Sequence, residues 1–498
     1  MKSKFYILDM FPYPSGASLH VGHAVGYIAT DIYKRWRQLK GDDTFHPFGF
    51  DSFGLPTQQY ALNTGKKPED ITKENIEKFN LQIKKLDIEH DMDEKNVMFT
   101  SDPNYFKWTQ WIFTELFNSW YDPDKNKACH IDSCPHENKD DYRLAYKGER
   151  EVNWCEALGC VLANEEVVDG LSERGSHPVE KKTMNQWFLR IEPYKNRLSE
   201  DLKDVEWVNK KVQDNWINDR LHDVSFSRQI SWGEPFPIIS ENGSLKTLPK
   251  ESLPAFWGQH PNMETDVMPS FAGSNWYFFR YFDQNNGDSF CDIDKQKQYL
   301  PVDVYVGGSE HTTGHVLYAR FITKVLFDLG HSSVEEPFKK IVNVGMMLGD
   351  NGEKMSKSKN NYVTIDDIVE KYGSDAFRLW ISFIAPFEQT KIWKEDGIKG
   401  CVKFISRYER LFDVADKEYV SDKQNAMLDK LKKGIDRDIE KFSFNTAVPK
   451  FMSFVNDMNK EEKISMEVMV GSLEVIKTFT PSLYKKIIKK LDIVLHGV

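Results

Sequence analysis

The spacing of hydrophobic positions predicts alternating strands and helices at the start of the chain. The apolar run at 5–10 predicts a strand. From Leu19 to Lys40, Val25, Ile28 and Ile32 recur at helical spacing, which predicts a helix. The same reasoning predicts a short strand at 44–50 and helices at 55–63 and 72–90. Strand–helix–strand–helix order indicates a parallel α/β sheet.

The pattern changes near residue 122 and returns much later. Residues 122–185 hold most of the cysteines and predict an inserted, loop-rich module. A second βα unit follows: a strand at 302–306, a turn at Gly307-Gly308 and a helix at 311–329, then a strand at 340–347. From Ile392 onward we expect only amphipathic helices and no strand, as in a helix bundle. The predicted fold is therefore α/β, a parallel sheet split by an insertion and followed by an all-α bundle.

Composition narrows the class of protein. The chain has 498 residues, 40% of them apolar and 29% charged, which is typical of a soluble globular protein with several domains. Met1 to Met10 lacks the features of a signal peptide and the sequence has no long apolar stretch, so we expect a cytoplasmic protein that does not enter a membrane. A net charge of -10 argues against a protein that coats nucleic acid. Six cysteines are too few for a disulfide scaffold, and we expect free thiols.

The first candidate motif runs from Pro12 to His23, at the predicted start of the first helix. A helix N-terminus offers unpaired N–H groups and partial positive charge, which suits phosphate. His20 and His23 lie three residues apart on one side of the first turn, and Gly22 lets a flat ring approach the backbone. Taken alone, two such histidines are more often caps, packing residues or part of a metal site.

The second candidate motif is Lys354-Met355-Ser356-Lys357-Ser358, which follows a Gly- and Asn-containing turn. Two lysines among small residues make a cationic loop that is able to close on a polyphosphate. Basic turns in general are usually solvated surface.

Together the two motifs resemble the two signatures of the class I aminoacyl-tRNA synthetases. That resemblance implies a Rossmann-like catalytic domain that forms an aminoacyl-adenylate from ATP and then loads tRNA. Further blocks resemble the leucyl family, among them 49–56, 153–155, 161–165, 186–188, 227–233, 274–277 and 302–315. The resemblance runs from about Leu8 to Glu409 and implies these boundaries: catalytic domain 1–121 and 221–350, connective module 122–220, second-motif region 351–391 and tRNA-binding bundle 392–498.

The resemblance also implies site residues and partners. ATP, accompanied by Mg²⁺, would be held by His20, Gly22, His23, Gly307, Gly308, Lys354, Met355, Ser356 and Lys357, with His20, His23, Lys354 and Lys357 catalytic. L-leucine would be held by Phe11, Tyr13, Asp51, Phe271, Tyr305, Glu310, His311 and His315. The partner would be tRNA(Leu), and we expect a monomer. Candidate tRNA contacts are Lys403, Arg407, Arg410, Lys430, Lys432, Lys433 and Arg437.

The sequence departs from the leucyl pattern in four places. The first turn has one residue more than usual before His20. Cys155 and Cys160 lack the second cysteine pair of a zinc site, and His177 adds only one further ligand, so we do not expect zinc in the connective module. Cys129, His130, Cys134 and His136 remain open as alternative ligands. Only a few residues join Ile217 to Leu221, where leucyl enzymes carry a large editing domain, so we expect no hydrolysis of mischarged tRNA. We also expect the small C-terminal domain that usually follows the bundle to be absent.

Three alternatives remain open at this point. An isoleucyl or valyl enzyme shares much of the pattern. A non-catalytic tRNA-binding paralogue would have no physical need for both motifs. A small-molecule nucleotidyltransferase would share the first motif and lack the second motif and the helical C-terminal region.

Overall fold

The computed structural model describes residues 2–14, 18–91, 97–162, 166–172, 175–208, 221–308, 314–355 and 361–496, with side chains to Leu491. The helices are Val21–Leu39, Leu55–Thr64, Pro68–Lys85, Pro103–Phe117, Lys195–Glu200, Phe271–Ser274, Tyr277–Arg280, Ile293–Tyr299, His315–Asp328, Ile365–Tyr372, Ser374–Phe383, Ile398–Val414, Asp422–Glu440, Phe444–Met458, Met466–Ile476 and Pro481–His496. The strands are Phe5–Asp9, Thr44–Phe45, Gly49–Phe50, Met98–Phe99, Ser119–Asp122, Lys127–His130, Ala145–Cys155, Cys160–Leu162, Val167–Val168, Leu171–Ser172, Glu180–Leu189, Glu206–Trp207, Val224–Ser225, Ile238–Glu241, Ser244–Thr247, Val304–Gly308, Lys340–Val344, Met347–Leu348, Lys391–Ile392, Ala415–Asp416 and Ile464–Ser465.

A five-stranded parallel sheet forms the centre of the fold. Its strands lie in the order Glu206–Trp207, Lys340–Val344, Val304–Gly308, Phe5–Asp9 and Thr44–Phe45. All four pairings are parallel, and Ile7 lies opposite Val304. Strands from the start of the chain therefore pair directly with strands that come nearly 300 residues later. The predicted fold class, a Rossmann-like parallel sheet split by an insertion, is confirmed.

Two details of the central sheet differ from expectation. Gly307 and Gly308 were predicted to form a turn, but they are the last residues of a strand and lie opposite Asn343 and Val344. The strand Glu206–Trp207, from the range assigned to the connective module, forms the edge of the central sheet. Sequence pattern misses a two-residue edge strand because it is too short to show alternation.

The inserted region is a β-sheet rather than loops. Ala145–Cys155 pairs antiparallel with Glu180–Leu189 over its whole length, and Cys160–Leu162 and Val224–Ser225 complete four strands. Much of this hairpin is exposed and charged, as at Glu149, Arg150 and Lys181. Charged residues on both faces hide the alternation that identifies a half-buried strand, so the expectation of loops was wrong.

The C-terminal region is the expected helix bundle, with one exception. Ala415–Asp416 pairs with Ile464–Ser465 in a short parallel ladder, where we expected no strand. The bundle core is continuous with the core beneath the first helix. At that junction the buried guanidinium of Arg378, in the helix Ser374–Phe383, pairs with buried Asp31 of the first helix at 2.6 Å and donates to the Thr478 and Phe479 carbonyls of the bundle.

Within the described residues, none of the helices combines the length and apolar character needed to cross a bilayer.

Candidate active site

The first motif lies where the sequence places it, at the start of the helix Val21–Leu39. His20 is the N-cap residue, with an extended backbone, and its Nδ1 accepts a hydrogen bond from the Gly22 amide at 3.0 Å. The His20 amide in turn donates to Nδ1 of His23 at 3.2 Å. These two bonds form a capping box built from histidines, and they hold the ring centroids 3.9 Å apart.

Gly22 is required by this arrangement. A Cβ at Gly22 would lie 2.7 Å from Cε1 of His20, a distance that forces the ring to move. The flat ring that needs the glycine is therefore the protein's own His20, which folds back over the helix start. The glycine fixes where the His20 ring lies.

The capping bonds determine the protonation of both rings. A nitrogen that accepts a hydrogen bond carries no proton, so both Nδ1 atoms are bare and both rings are neutral with hydrogen on Nε2. Electrostatics agree: burial, then His23 and Lys354, lowers the pKa of His20 to about 2. Burial also lowers the pKa of His23 to about 4. The site thus presents two Nε2–H donors at a helix N-terminus, a donor set that suits phosphate oxygens.

The second motif comes back to the same helix start. The Val21 amide donates to the Val363 carbonyl at 3.1 Å, and His20 bridges to Thr364. Tyr362 donates its hydroxyl to the Ser18 carbonyl at 2.5 Å. Lys354 lies close enough to His20 to lower its pKa. Residues more than 330 positions apart in sequence therefore share one site.

Asn361 holds the base of the second-motif loop. It is buried, and its Nδ2 donates to Oδ1 of Asn351 at 2.9 Å and to the Lys354 carbonyl at 3.3 Å. Met355 is buried in the hydrophobic core, whereas Lys354 is exposed. Ser356 and Lys357 lie outside the described residues.

Asp51 supplies a buried carboxyl group beside the segment Phe11–Pro14. Its amide donates to the Pro12 carbonyl at 3.0 Å, and Thr100 donates its hydroxyl to Oδ1 at 3.2 Å. Oδ2 is buried and has no hydrogen-bond partner among the described residues. Burial raises the pKa of Asp51 to about 8, against the lowering effect of the nearby Thr100 and Ser274 hydroxyls. An unpaired buried carboxyl oxygen is costly unless a cation binds there.

A chain of hydrogen bonds connects three of the neighbouring side chains. Tyr277 donates its hydroxyl to the Asp9 carbonyl at 3.1 Å, and Tyr305 lies 2.9 Å from that hydroxyl. The Tyr305 hydroxyl lies 2.5 Å from Nε2 of His315. Because each hydroxyl has one proton, Tyr305 donates to Tyr277 and accepts from His315, which fixes the hydrogen of His315 on Nε2.

Stacked aromatic rings lie beside the hydrogen-bonded side chains of Tyr277, Tyr305 and His315. Phe11 stacks on Tyr277 with ring centroids 4.0 Å apart. Phe271 stacks on Tyr318 at 4.9 Å. Tyr13 is 39% exposed. Glu310 and His311 lie outside the described residues, so their placement in the pocket stays a prediction.

Gly307 has a packing role that the sequence did not indicate. A Cβ there would lie 2.1 Å from Sδ of Met10, so the neighbouring strand needs the glycine. Gly308 is half-buried at the end of the same strand. Both lie at the carboxyl edge of the sheet, where ligands bind in open α/β folds.

Two contributors to this site carried no predicted role. Tyr277 lies in the block 274–277 that we matched to the family, yet only the structure shows its bonds to Asp9 and Tyr305. Thr100 orients Asp51 and lies in a segment without any motif. Their contribution depends on contacts distant in sequence.

The cysteines lie apart from this site. All six are free thiols, and Cys155 lies opposite Cys160 in a hairpin. In the parts of the chain that the structure describes, no group of three potential metal ligands includes a cysteine.

Comparison with known proteins identifies the family. The model for "tRNA synthetases class I (M)" matches residues 5–247. The model for "tRNA synthetases class I (I, L, M and V)" matches residues 281–393. Together these stretches span well over half of the 498 residues.

Solved structures share the fold. One is the agnB2 leucyl-tRNA synthetase of Agrobacterium radiobacter K84 in a ternary complex with tRNA and LeuAMS, with 24% identity and a TM-score of 0.84 over 100% of this chain and 85% of that chain. Another is Mycobacterium tuberculosis methionyl-tRNA synthetase with methionyl-adenylate, with 20% identity and a TM-score of 0.73 over 98% of this chain and 93% of that one. Because both family models describe synthetases of one class and the fold agrees, the chain belongs to the class I aminoacyl-tRNA synthetases.

Proposed function

We propose that this protein is a leucyl-tRNA synthetase. It activates L-leucine with ATP to leucyl-adenylate and pyrophosphate, and then transfers leucine to the 3′ end of tRNA(Leu). The proposal is supported by the capping box that leaves His20 and His23 neutral, by Lys354 close to His20, and by the buried carboxyl group of Asp51, whose Oδ2 has no hydrogen-bond partner among the described residues.

The chemistry needs no protein nucleophile. A carboxylate oxygen of leucine attacks the α-phosphorus of ATP, and the bond to the β-phosphate oxygen breaks. Catalysis is then positioning and stabilisation of charge on the phosphates. His20 and His23 donate Nε2–H bonds to phosphate oxygens, while Lys354 and Lys357 neutralise the departing pyrophosphate. Mg²⁺ enters with ATP and is held mainly by phosphate and water.

The proposed amino-acid pocket binds both the α-ammonium group and the side chain of leucine. Asp51 Oδ2 pairs with the α-ammonium group and is then no longer unpaired. That attraction also lowers the raised pKa of Asp51, so the carboxylate form predominates in the complex. Phe11, Tyr277 and Tyr305 enclose the branched alkyl chain, with Glu310, His311 and His315 completing the pocket.

Methionine is the second candidate substrate, because the family model that covers the N-terminal half is the methionyl one. The blocks at 49–56 and 302–315 favour leucine. Isoleucine and valine belong to the same branch and differ from leucine by the position or loss of one carbon.

The deciding experiment is ATP–pyrophosphate exchange with leucine, methionine, isoleucine and valine, each at saturating ATP. Leucine is expected to give the highest kcat/KM. A higher kcat/KM with methionine would show that methionine, not leucine, is the substrate. Absence of exchange with any amino acid, in a protein that still binds tRNA, would favour the non-catalytic alternative.

A further inference from the structure

Three potential metal ligands meet beneath the catalytic sheet, separate from the proposed active site. Asp9 ends the first strand, His46 follows the second strand and His90 follows the helix Pro68–Lys85. One ligand atom from each lies within 4.8 Å of the others. His46 is 0% and Asp9 3% exposed, so water screens this group poorly.

The hydrogen bonds of the group leave nitrogen atoms unused. Nε2 of His46 lies 2.7 Å from Oδ2 of Asp9, which also accepts from the Thr30 hydroxyl at 2.8 Å. Within the described part of the chain, Nδ1 of His46 and Nε2 of His90 are buried without a hydrogen-bond partner. A simple Asp9–His46 hydrogen bond explains the contact between those two side chains. It leaves Nε2 of His90 buried without a partner among the described residues, which costs about 1–3 kcal/mol.

The charged side chains around these three residues are paired with other groups. The Lys34 ammonium lies nearby, but it pairs with Asp91 at 2.7 Å and with the Glu89 carbonyl at 2.9 Å. Asp31 also faces this region and is paired with Arg35 and Arg378. The basic side chains that act on Asp9 are His46, whose Nε2 lies 2.7 Å from Oδ2, and His90.

We propose that Asp9, His46 and His90 form a binding site for one divalent transition metal ion, with zinc as the probe. Two imidazoles and one carboxylate suit Zn²⁺, whose ligand distances of about 2.0–2.2 Å place donor atoms roughly 3.3 Å apart. The three ligand atoms lie within 4.8 Å of one another and the histidine ring centroids are 4.6 Å apart, so rotation of the side chains has to bring the donor atoms to that spacing. A water molecule completes four-coordination.

The position gives the ion a structural effect on the proposed active site. The Asp9 carbonyl accepts the Tyr277 hydroxyl at 3.1 Å, and Phe11 follows two residues later. An ion on the Asp9 side chain therefore fixes the strand end from which the proposed leucine pocket is built.

The test is titration of metal-free protein with Co²⁺ and Zn²⁺, followed by absorption and by Tm. We expect one equivalent per chain, visible d–d bands of a tetrahedral N/O site, no thiolate charge-transfer band, and a Tm rise on the order of 5 °C with zinc. His90→Phe keeps the stacking on Phe48, where the centroids are 4.5 Å apart, and should abolish both effects.

Two controls separate this site from others. His136→Phe is a matched change, since His136 stacks on Tyr142 at 3.9 Å, and it should leave metal binding intact. Cys155→Ser with Cys160→Ser should also leave it intact. If His90→Phe fails to fold, Asp9→Asn is the substitute variant. It keeps the hydrogen bond from the Thr30 hydroxyl and should lose metal binding. Failure to bind metal, or loss of binding in the cysteine variant alone, would overturn the proposal, and neither result depends on amino-acid activation.

Discussion

At the residue scale, His20 combines two tasks that are separable by substitution. Its Nδ1 caps the first helix, and its Nε2–H is the donor proposed for phosphate. Capping is a property that asparagine shares, whereas the position of the second donor belongs to histidine. The residue therefore allows a stability role and a catalytic role to be measured apart.

We predict that His20→Asn and His20→Ala both lower ATP–pyrophosphate exchange by about 100-fold, because both lose the Nε2–H donor. His20→Asn should retain the Tm, while His20→Ala should lose about 1 kcal/mol of unfolding free energy with the cap. Ser421→Ala is a matched control, since Ser421 caps a bundle helix by accepting from the Gln424 amide at 3.3 Å. It should lose similar stability without loss of exchange. Wild-type exchange in His20→Asn would contradict the donor role.

Asp51 leads to a prediction in which stability and activity move in opposite directions. Its native pKa of about 8 lies above the unfolded value near 3.9, so the folded protein binds more protons in between. The stability contributed at low pH is therefore lost as pH rises toward 8.

Asp51→Asn should raise the unfolding free energy of the ligand-free protein at pH 8 by on the order of 2 kcal/mol, because no buried charge remains. It should also lower kcat/KM for leucine at least 100-fold and leave the KM for ATP unchanged, because asparagine cannot pair with the ammonium group. Denaturation with and without leucine, together with exchange kinetics, measures both. A leucine KM that is unchanged in Asp51→Asn would show that Asp51 does not bind the amino acid.

At the element scale, a buried ion pair joins the helix Ser374–Phe383 to the first helix, Val21–Leu39. Arg378 donates to Asp31 at 2.6 Å and to the carbonyls of Leu86, Thr478 and Phe479, and both charged side chains are 0% exposed. Burial by itself raises the pKa of Asp31, but the charges of Arg378 and Arg35 outweigh that effect and lower the pKa to about 2. The resulting stability is present above the unfolded pKa near 3.9 and is lost as pH falls toward 2.

Arg378→Met should destabilise the protein by about 3 kcal/mol, because it leaves Asp31 and three carbonyls poorly paired. Adding Asp31→Asn should recover part of that loss. Lys423→Met removes an exposed pair with Glu461 and should cost less than about 1 kcal/mol. Urea denaturation of the four proteins measures each value, and equal losses in Arg378→Met and Lys423→Met would contradict the proposed junction.

At the scale of the whole molecule, the proposed function without editing makes the accuracy of amino-acid selection depend on the synthetic site. Only twelve residues, 209–220, separate Val208 from Leu221, too few for a folded hydrolytic domain at the usual position. A hydrophobic pocket discriminates one methylene by only about 1–3 kcal/mol. The proposed absence of editing therefore predicts that the enzyme releases some mischarged tRNA.

We predict that preformed norvalyl-tRNA(Leu) or isoleucyl-tRNA(Leu) is deacylated no faster with this enzyme than without it. A leucyl-tRNA synthetase that contains an editing domain serves as the positive control. Rapid, enzyme-dependent hydrolysis would mean that editing occurs elsewhere in the chain.

The sequence by itself determined the class of fold, the two motifs and their order. These features depend on local periodicity and on residue types whose chemistry is fixed, such as the histidines at 20 and 23. It did not determine the charged hairpin at 145–189 or the edge strand Glu206–Trp207, because their partners are distant in sequence and their patterns are weak. Only the tertiary structure decided that His20 and His23 are neutral donors, that Tyr277 and Thr100 orient pocket residues, and that Asp9, His46 and His90 meet. Protonation and burial depend on neighbours from several elements, and no local pattern specifies those neighbours.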